Sequence, residues 1–178
     1  MEVSNKFCSK CSVSKPLNDF RKNRSTLRTE CKACEKNYRQ GRKEQSNQHE
    51  RNRRKNEPNY RLTCNIRSRL YNALKSQQAS KNEHTFDLVS CSIHQLNKWL
   101  NFTKPFYIPD GYTGKLHVDH FYPLSKFDLN DPDQLKEACN WSNLRYLSAE
   151  QNLKKSNNLP SPCDKFKMLM LKYMFEKI

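Results

Sequence analysis

The sequence predicts an α+β protein, in which short strands and several helices share a modest core. Residues 116–123 and 144–147 carry the short apolar pattern of strands. Residues 60–75 repeat their apolar side chains at helical spacing, and residues 166–175 favour a further helix that packs on the core. Changes in composition divide the chain into three parts: paired cysteines at 1–40, a basic stretch at 41–83 and an aromatic-rich part at 84–178.

The charge and composition of the chain narrow its possible partners. Its 178 residues are 35% hydrophobic, below the roughly 45–50% of an average globular chain, and no apolar run approaches the ~18 residues of a membrane-spanning helix. Lysine and arginine outnumber aspartate and glutamate by 33 to 18, so the net charge is +15 and we expect a polyanionic partner. The scarcity of glycine excludes Walker and Rossmann phosphate loops.

Two Cys-x-x-Cys pairs within residues 1–40 predict a zinc-ribbon-like module. Four thiolates at this spacing suit Zn²⁺ in a closed, structural site, and a segment with so few apolar residues needs the metal to fold. Leu17 and Phe20 are expected to cap its small core. A reduced, metal-free segment and a redox dithiol are the alternatives. The predicted zinc ligands are Cys8, Cys11, Cys31 and Cys34.

Residues 41–83 are expected to form a basic, helical connector. Pro58 ends one segment, and the apolar stripe of residues 60–75 follows it. A charged face in contact with solvent is the alternative, but the overall excess of positive charge favours contacts with phosphates. The predicted nucleic-acid contacts in this stretch are Arg51, Arg53, Arg54, Lys55, Arg67 and Arg69.

The side chains best suited to catalysis lie at residues 117–120. His117 and Asp119 share one face of the predicted strand, and His120 lies at its end. A carboxylate is a hard ligand that suits Mg²⁺ or Mn²⁺, and a neutral imidazole can accept a proton from water. Taken singly, Asp119 and His120 fit a buried ion pair as well as they fit catalysis.

A helix is expected directly after the second strand. Ser148 fits the N-cap position, and Gln151, three residues later, completes a capping box. This places Asn152 in the first turns of the helix, with Lys155 about one turn beyond it.

The ordered set of Asp119-His120, Asn143 before a leucine, and Asn152 nine residues later resembles the motif of HNH (His-Me finger, ββα-metal) endonucleases. Neighbouring segments such as His-Val-Asp-His-Phe-Tyr-Pro-Leu-Ser and Glu-Gln-Asn-Leu-Lys-Lys are similar to phrases common in phage and large-virus members of that family. The resemblance covers residues 60–158 well and implies a small ββα-metal nuclease domain within residues 84–178.

The resemblance also implies a role for each motif residue. His120 would be the general base that activates water, and Asn143 would hold the His120 ring in its useful orientation. Asp119 and Asn152 would bind one divalent metal ion beside the scissile phosphate.

Four further residues are expected near the substrate. Lys154 and Lys155 follow the motif on the same helix and are expected to contact phosphate. His117 is a possible contact of the metal or the phosphate. Family members often have Gln-Pro where this chain has Arg145 and Tyr146, so Arg145 is expected to change the DNA contacts.

Together these features predict a metal-dependent HNH DNA endonuclease with structural Zn²⁺ and catalytic Mg²⁺ or Mn²⁺. The alternative is a non-catalytic, zinc-containing nucleic-acid-binding protein on an HNH-like scaffold. DNA is the expected partner and RNA the alternative, no membrane is expected, and a monomer and a homodimer both fit. The beginning of the chain shows no secretory signal. We therefore expect an intracellular protein located with its target DNA, in a prokaryotic cytoplasm, a nucleus or a viral factory, and not a secreted one.

Overall fold

The computed structural model describes residues 4–178, and the chain forms two compact units, one ending at Asn56 and one spanning Glu57–Ile178. Each unit combines short antiparallel strands with helices, so the predicted α+β class is confirmed. The composition boundaries at residues 40 and 83 do not coincide with this division, because one continuous helix crosses residue 40 and the next belongs to the second unit. Residues 1–3, to which part of the expectation about a secretory signal refers, lie outside the described residues.

The first unit consists of two hairpins followed by a long helix. Its elements are β1 (Asn5–Phe7), β2 (Ser14–Pro16), β3 (Phe20–Asn23), β4 (Thr26–Cys31) and α1 (Lys32–Asn56). Strand β1 pairs with β2, and β3 with β4, both antiparallel. Phe20 is buried between two cysteines, whereas Leu17, expected to share this core, is 37% exposed. The apolar core of this unit is therefore little more than one aromatic ring.

The second unit begins with a long amphipathic helix and packs eight helices and strands of its described residues around a larger core. Its elements are α2 (Pro58–Ser76), α3 (Thr85–Val89), α4 (Ile93–Thr103), β5 (Leu116–His120), α5 (Pro132–Cys139), β6 (Leu144–Ser148), α6 (Ala149–Lys155) and α7 (Pro162–Phe175). Pro58 occupies the first turn of α2. Backbone N–H groups in the first turn have no acceptor within the helix, so a proline, which lacks this group, is tolerated there. The predicted apolar stripe of α2 is confirmed, because Leu62, Ile66, Leu70 and Leu74 are all buried.

Helix α4 fixes β6 by packing and by one buried hydrogen bond. Trp99 is fully buried and donates its indole N–H to the carbonyl oxygen of Leu144 at 2.7 Å. Its ring also meets Trp141 edge to face, with centroids 5.0 Å apart. A buried indole that both packs and donates holds the start of β6 in one position.

The β5–β6 hairpin continues directly into α6, giving a β–β–α unit. The two strands are antiparallel, with His120 opposite Leu144 and Leu116 opposite Ser148. Ser148 accepts a hydrogen bond from the Gln151 amide, and the Gln151 side chain accepts one from the Ser148 amide, which confirms the predicted capping box. The reciprocal cap ends the strand and starts the helix within one residue.

The four cysteines outside the two Cys-x-x-Cys motifs differ in their burial. Cys139 is buried, and Cys64 and Cys91 are partly buried. A cysteine without paired spacing is predicted from the sequence to be a small buried hydrophobe. This prediction is wrong for Cys163, which is exposed in the first turn of α7. Across the described part of the chain, every helix is too short or too polar to cross a membrane.

Candidate functional site

Three of the predicted catalytic and metal-binding residues line one cleft in the second unit. Asp119 and His120 are the last residues of β5, and Asn152 lies in α6, which follows the partner strand of β5. A cavity of about 440 Å³ has all three in its wall, together with Arg69 of α2 and Lys155 of α6. Residues far apart in the sequence thus meet because the hairpin and its helix fold back on α2.

Asp119 is a buried carboxylate surrounded by three cations. Lys155 Nζ lies 2.8 Å from Oδ2, Arg145 Nε lies 3.8 Å from Oδ2, and Arg69 Nη2 lies 3.6 Å from Oδ1. Within the described residues no donor meets Oδ2 in hydrogen-bonding alignment. Three cations on one carboxylate leave an excess of positive charge, which favours an anion such as phosphate in the cleft.

His120 is held neutral by its surroundings. Burial, and then the positive charges of Arg69 and Lys155, lower the pKa of His120 to about 3. The imidazole therefore has a free lone pair throughout the neutral range. A bound phosphate would offset part of the field of the two cations and raise the basicity of the ring. Lys155 also donates to the carbonyl oxygen of His120 at 2.6 Å, and burial lowers the pKa of Lys155 although Asp119 opposes the change.

Asn143 fixes the backbone that follows His120. Its Oδ1 accepts from the amide of Tyr122 at 2.7 Å, and its Nδ2 donates to the carbonyl oxygens of Tyr122 and Ala138. Its own carbonyl accepts from the amide of Phe121 at 2.7 Å. The sequence predicted that Asn143 would orient the His120 ring. The described hydrogen bonds instead tie the chain directly after His120, so any effect on the ring passes through the backbone.

Asn152 and His117 contact each other beside the cleft. Asn152 Nδ2 lies 3.4 Å from His117 Nδ1, a long hydrogen bond in which the imidazole nitrogen accepts. With Nδ2 turned to His117, Oδ1 is the amide atom available to a cation. An amide oxygen and a carboxylate oxygen are the hard ligands that Mg²⁺ and Mn²⁺ prefer, so Asn152 and Asp119 are the residues of the cleft that could hold such an ion.

The predicted nucleic-acid contacts differ in their access to a ligand. Arg69 and Lys155 line the cleft, whereas Arg67 and Lys154 are exposed beside it on their helices. Arg145 was expected to contact DNA, but its guanidinium is buried, 4.9 Å from the ring centre of Tyr107 and 4.8 Å from that of Phe121. It therefore acts as a buried counter-charge for Asp119. The remaining predicted contacts lie in the last turns of α1 and are Arg51, Arg53, Arg54 and Lys55. Arg54 forms an ion pair with Glu50, in which Nε lies 2.8 Å from Oε1.

Gln77 supports the cleft although its sequence position gave no reason to expect this. Its Nε2 donates to the carbonyl oxygens of Leu124 and Phe127, and its Oε1 accepts from the amide of Leu129. The residue caps the C-terminus of α2, and its three partners are about fifty residues away in the sequence. Asn72, also in the cleft wall, follows Arg69 at helical spacing and could have been found from that spacing.

The first unit brings its four paired cysteines together. All four Sγ atoms lie within 4.8 Å of one another, so they could hold a metal ion such as zinc. The amides of Lys10 and Cys31 donate to Cys8 Sγ at 3.4 and 3.2 Å. Backbone hydrogen bonds, first from Cys31 and then from Cys11, lower the pKa of Cys8 to about 6. Hydrogen bonding to Cys31 and burial raise the pKa of Cys34 to about 12, which shows how strongly the cluster resists four thiolates without a cation.

Comparison with known proteins identifies relatives in a large virus. No protein-family model and no solved structure matches the chain. "Uncharacterized protein L426" of Acanthamoeba polyphaga mimivirus is 31% identical over 132 aligned positions, which cover 73% of this chain and 57% of that protein. "Uncharacterized protein L246" of the same virus is 30% identical over 193 aligned positions, which cover 85% of this chain and 84% of that protein. The match extends over most of both sequences, and the chain therefore belongs to the family of mimivirus protein L246.

Proposed function

We propose that this protein is a metal-dependent endonuclease of the HNH (ββα-metal) type that hydrolyses phosphodiester bonds in DNA. One observation carries the proposal. The β5–β6–α6 unit places Asp119, His120 and Asn152 in the wall of one cleft, in the order that the HNH motif requires. The excess of positive charge around Asp119 supports a phosphate-containing substrate.

The residues of the cleft suit a hydrolytic mechanism. The neutral His120 imidazole would accept a proton from the attacking water. Arg69 and Lys155 would offset the charge of the phosphate as it develops in the transition state. A divalent ion held by Asp119 and Asn152 would polarise the phosphate and neutralise charge on the departing 3′ oxygen. Asn143 would keep the segment after His120 in place through its backbone hydrogen bonds.

The first unit is proposed to hold structural Zn²⁺. Four thiolates within 4.8 Å of one another close the coordination shell, which leaves no open position for a substrate. The amide hydrogen bonds to Cys8 stabilise its thiolate form, as a metal-bound cysteine requires.

Relaxation of supercoiled plasmid tests the proposal. The wild-type protein with Mg²⁺ is expected to nick the plasmid, and the Asp119→Asn variant to need much more metal or to fail. Asp87→Asn is the matched control, since it removes an exposed carboxylate of the same unit. Asn152→Ala provides a second variant at a half-buried position, in case the cations left by Asp119→Asn destabilise the fold.

The outcomes of this assay separate the candidate functions. Nicking that needs Asp119 but not Asp87 supports the endonuclease. Tight DNA binding by the wild type without cleavage at any Mg²⁺ or Mn²⁺ concentration contradicts it and supports the non-catalytic binding protein. Cleavage of a matched RNA but not of DNA contradicts the assignment of the substrate.

A further inference from the structure

A second cluster of charge lies in the first unit, where Glu35 directly follows Cys34 in the sequence. Glu35 in α1 is buried, and three arginines from three different elements converge on its carboxylate. Arg39 Nη2 lies 2.6 Å from Oε1, Arg28 Nη1 lies 3.2 Å from Oε1, and Arg21 Nε lies 2.9 Å from Oε2. One carboxylate thus gathers guanidinium groups from β3, β4 and α1.

The cluster is strongly unbalanced in charge and open to solvent. Three guanidinium groups against one carboxylate leave two positive charges in excess. The arginine side chains are 56%, 50% and 62% exposed, whereas the Glu35 side chain is 8% exposed. Each guanidinium carries five N–H donors. Arg28 and Arg39 each donate one of them to Glu35 and Arg21 forms an ion pair with it, so the other donors can bind another anion.

A groove next to the cluster extends the positive surface. It has a volume of about 830 Å³, and its wall includes Arg21, Lys22, Arg24 and Lys32 without any acidic side chain among the described residues. Arg21 belongs to both the groove and the cluster. A ligand with several anionic groups in a row could therefore contact the cluster and the groove together.

We propose that Arg21, Arg28 and Arg39, held in place by Glu35, form a phosphate-binding clamp for the phosphodiester backbone of nucleic acid. The inference rests on the proposed nucleic-acid substrate and assigns a contact site to the four-cysteine unit. Glu35 acts as a positioning residue: it lowers the freedom of three long side chains and aligns their forks, which is how arginine binds phosphate through paired donors. The contacts would position the protein without reading bases.

Replacement of Glu35 by a neutral residue distinguishes a clamp from a merely basic surface, because the two hypotheses predict opposite changes in DNA affinity. Glu35→Gln adds one positive charge to the unit. If only charge mattered, this variant would bind DNA more tightly. If Glu35 organises the clamp, the variant is expected to bind a short fluorescein-labelled duplex about three- to tenfold more weakly, with a salt dependence that is less steep by about 0.9 per lost phosphate contact.

Fluorescence anisotropy of the full chain, loaded with zinc and without Mg²⁺, measures this effect. Co²⁺ substitution checks that the four-cysteine site stays folded, through its thiolate absorption. If Glu35→Gln loses that absorption, Arg28→Lys with Arg39→Lys replaces it, since these changes keep the charge and remove the forks. Arg42→Lys is the matched control, since Arg42 is an exposed arginine of α1 outside both the cluster and the groove, and it is expected to bind like the wild type.

Three results would overturn the clamp. The first is a folded Glu35→Gln variant that binds the duplex more tightly than the wild type. The second is a double lysine variant that binds as tightly as Arg42→Lys, and the third is saturation of the site by inorganic phosphate with no change in duplex binding. Wild-type protein that does not bind DNA at all would contradict the proposed function as well. Because binding is measured without Mg²⁺, a protein that binds DNA but does not cleave it would contradict the proposed endonuclease activity and not the clamp.

Discussion

Removal of the metal from the four-cysteine site should unfold the first unit and leave the second intact. The apolar core of the first unit contains one buried large side chain, Phe20, with Leu27 packed against it. Burial of one such ring contributes about 1.5–3 kcal/mol, whereas a structural zinc site contributes of the order of 10 kcal/mol at neutral pH. The metal is therefore expected to dominate the stability of the unit.

Hydrogen exchange measured by mass spectrometry can follow the two units separately. In the zinc-loaded protein the amides of β4 should be protected, and in Cys11→Ser they should exchange at least about 100-fold faster, which corresponds to a loss of roughly 3 kcal/mol in opening free energy. The control is Cys163→Ser, an exposed cysteine of the second unit, which should change nothing. Both tryptophans, Trp99 and Trp141, lie in the second unit, so their fluorescence should stay constant.

The result that would refute this reasoning is equally specific. Zinc-free protein or Cys11→Ser that keeps the wild-type protection of β4 would show that the hairpins are stable without a metal. Metal analysis that finds less than one Zn²⁺ in protein with a folded first unit would lead to the same conclusion.

Three further predictions follow from the second unit and the end of α1. Asn143→Ala should lower the free energy of unfolding by about 2–4 kcal/mol in urea titrations, because it leaves the amide of Tyr122 and the carbonyl of Ala138 unpaired; a loss below about 1 kcal/mol would contradict the role of Asn143. The pKa of His120 is depressed in the folded state to about 3, so its contribution to stability is present above pH ~6.5 and is lost as the pH falls below that value. At pH 5 the loss should be about 2 kcal/mol for the wild type and absent in His120→Asn, as measured by urea titration at both pH values. Replacement of Arg51, Arg53, Arg54 and Lys55 together by alanine should lower the salt dependence of DNA binding by up to roughly four phosphate contacts, and an unchanged slope would assign them to a solvated face.

The elements that the sequence predicts correctly are those whose signals are local. The apolar stripe of α2 and the capping box at Ser148 depend on residues within two turns of each other, so the pattern alone reveals them. The hairpins of the first unit carry few apolar residues and no clear alternation, because the cysteine cluster rather than a buried face holds them together. Composition cannot show such strands.

The sequence predicts which residues of the motif line the cleft, but it does not predict the role of every residue around it. Asp119, His120 and Asn152 meet as the motif implied. The burial of Arg145 depends on Tyr107 and Phe121, which come from different segments of the chain, so the basic residue was assigned to DNA. The sequence around Glu35 gives no sign of its role, because its three partners come together only when the hairpin and α1 are folded.

The rate of a single turnover on end-labelled duplex DNA, measured for His120→Ala, tests the central claim most directly. His94→Ala, an exposed histidine of the same unit, is the control. Because a general base contributes about 10²–10⁴-fold, His120→Ala should cut the duplex that much more slowly than the wild type at saturating Mg²⁺, while binding DNA with the same affinity. Cleavage by His120→Ala at the rate of the wild type and of His94→Ala would contradict the assignment of this cleft as the catalytic site.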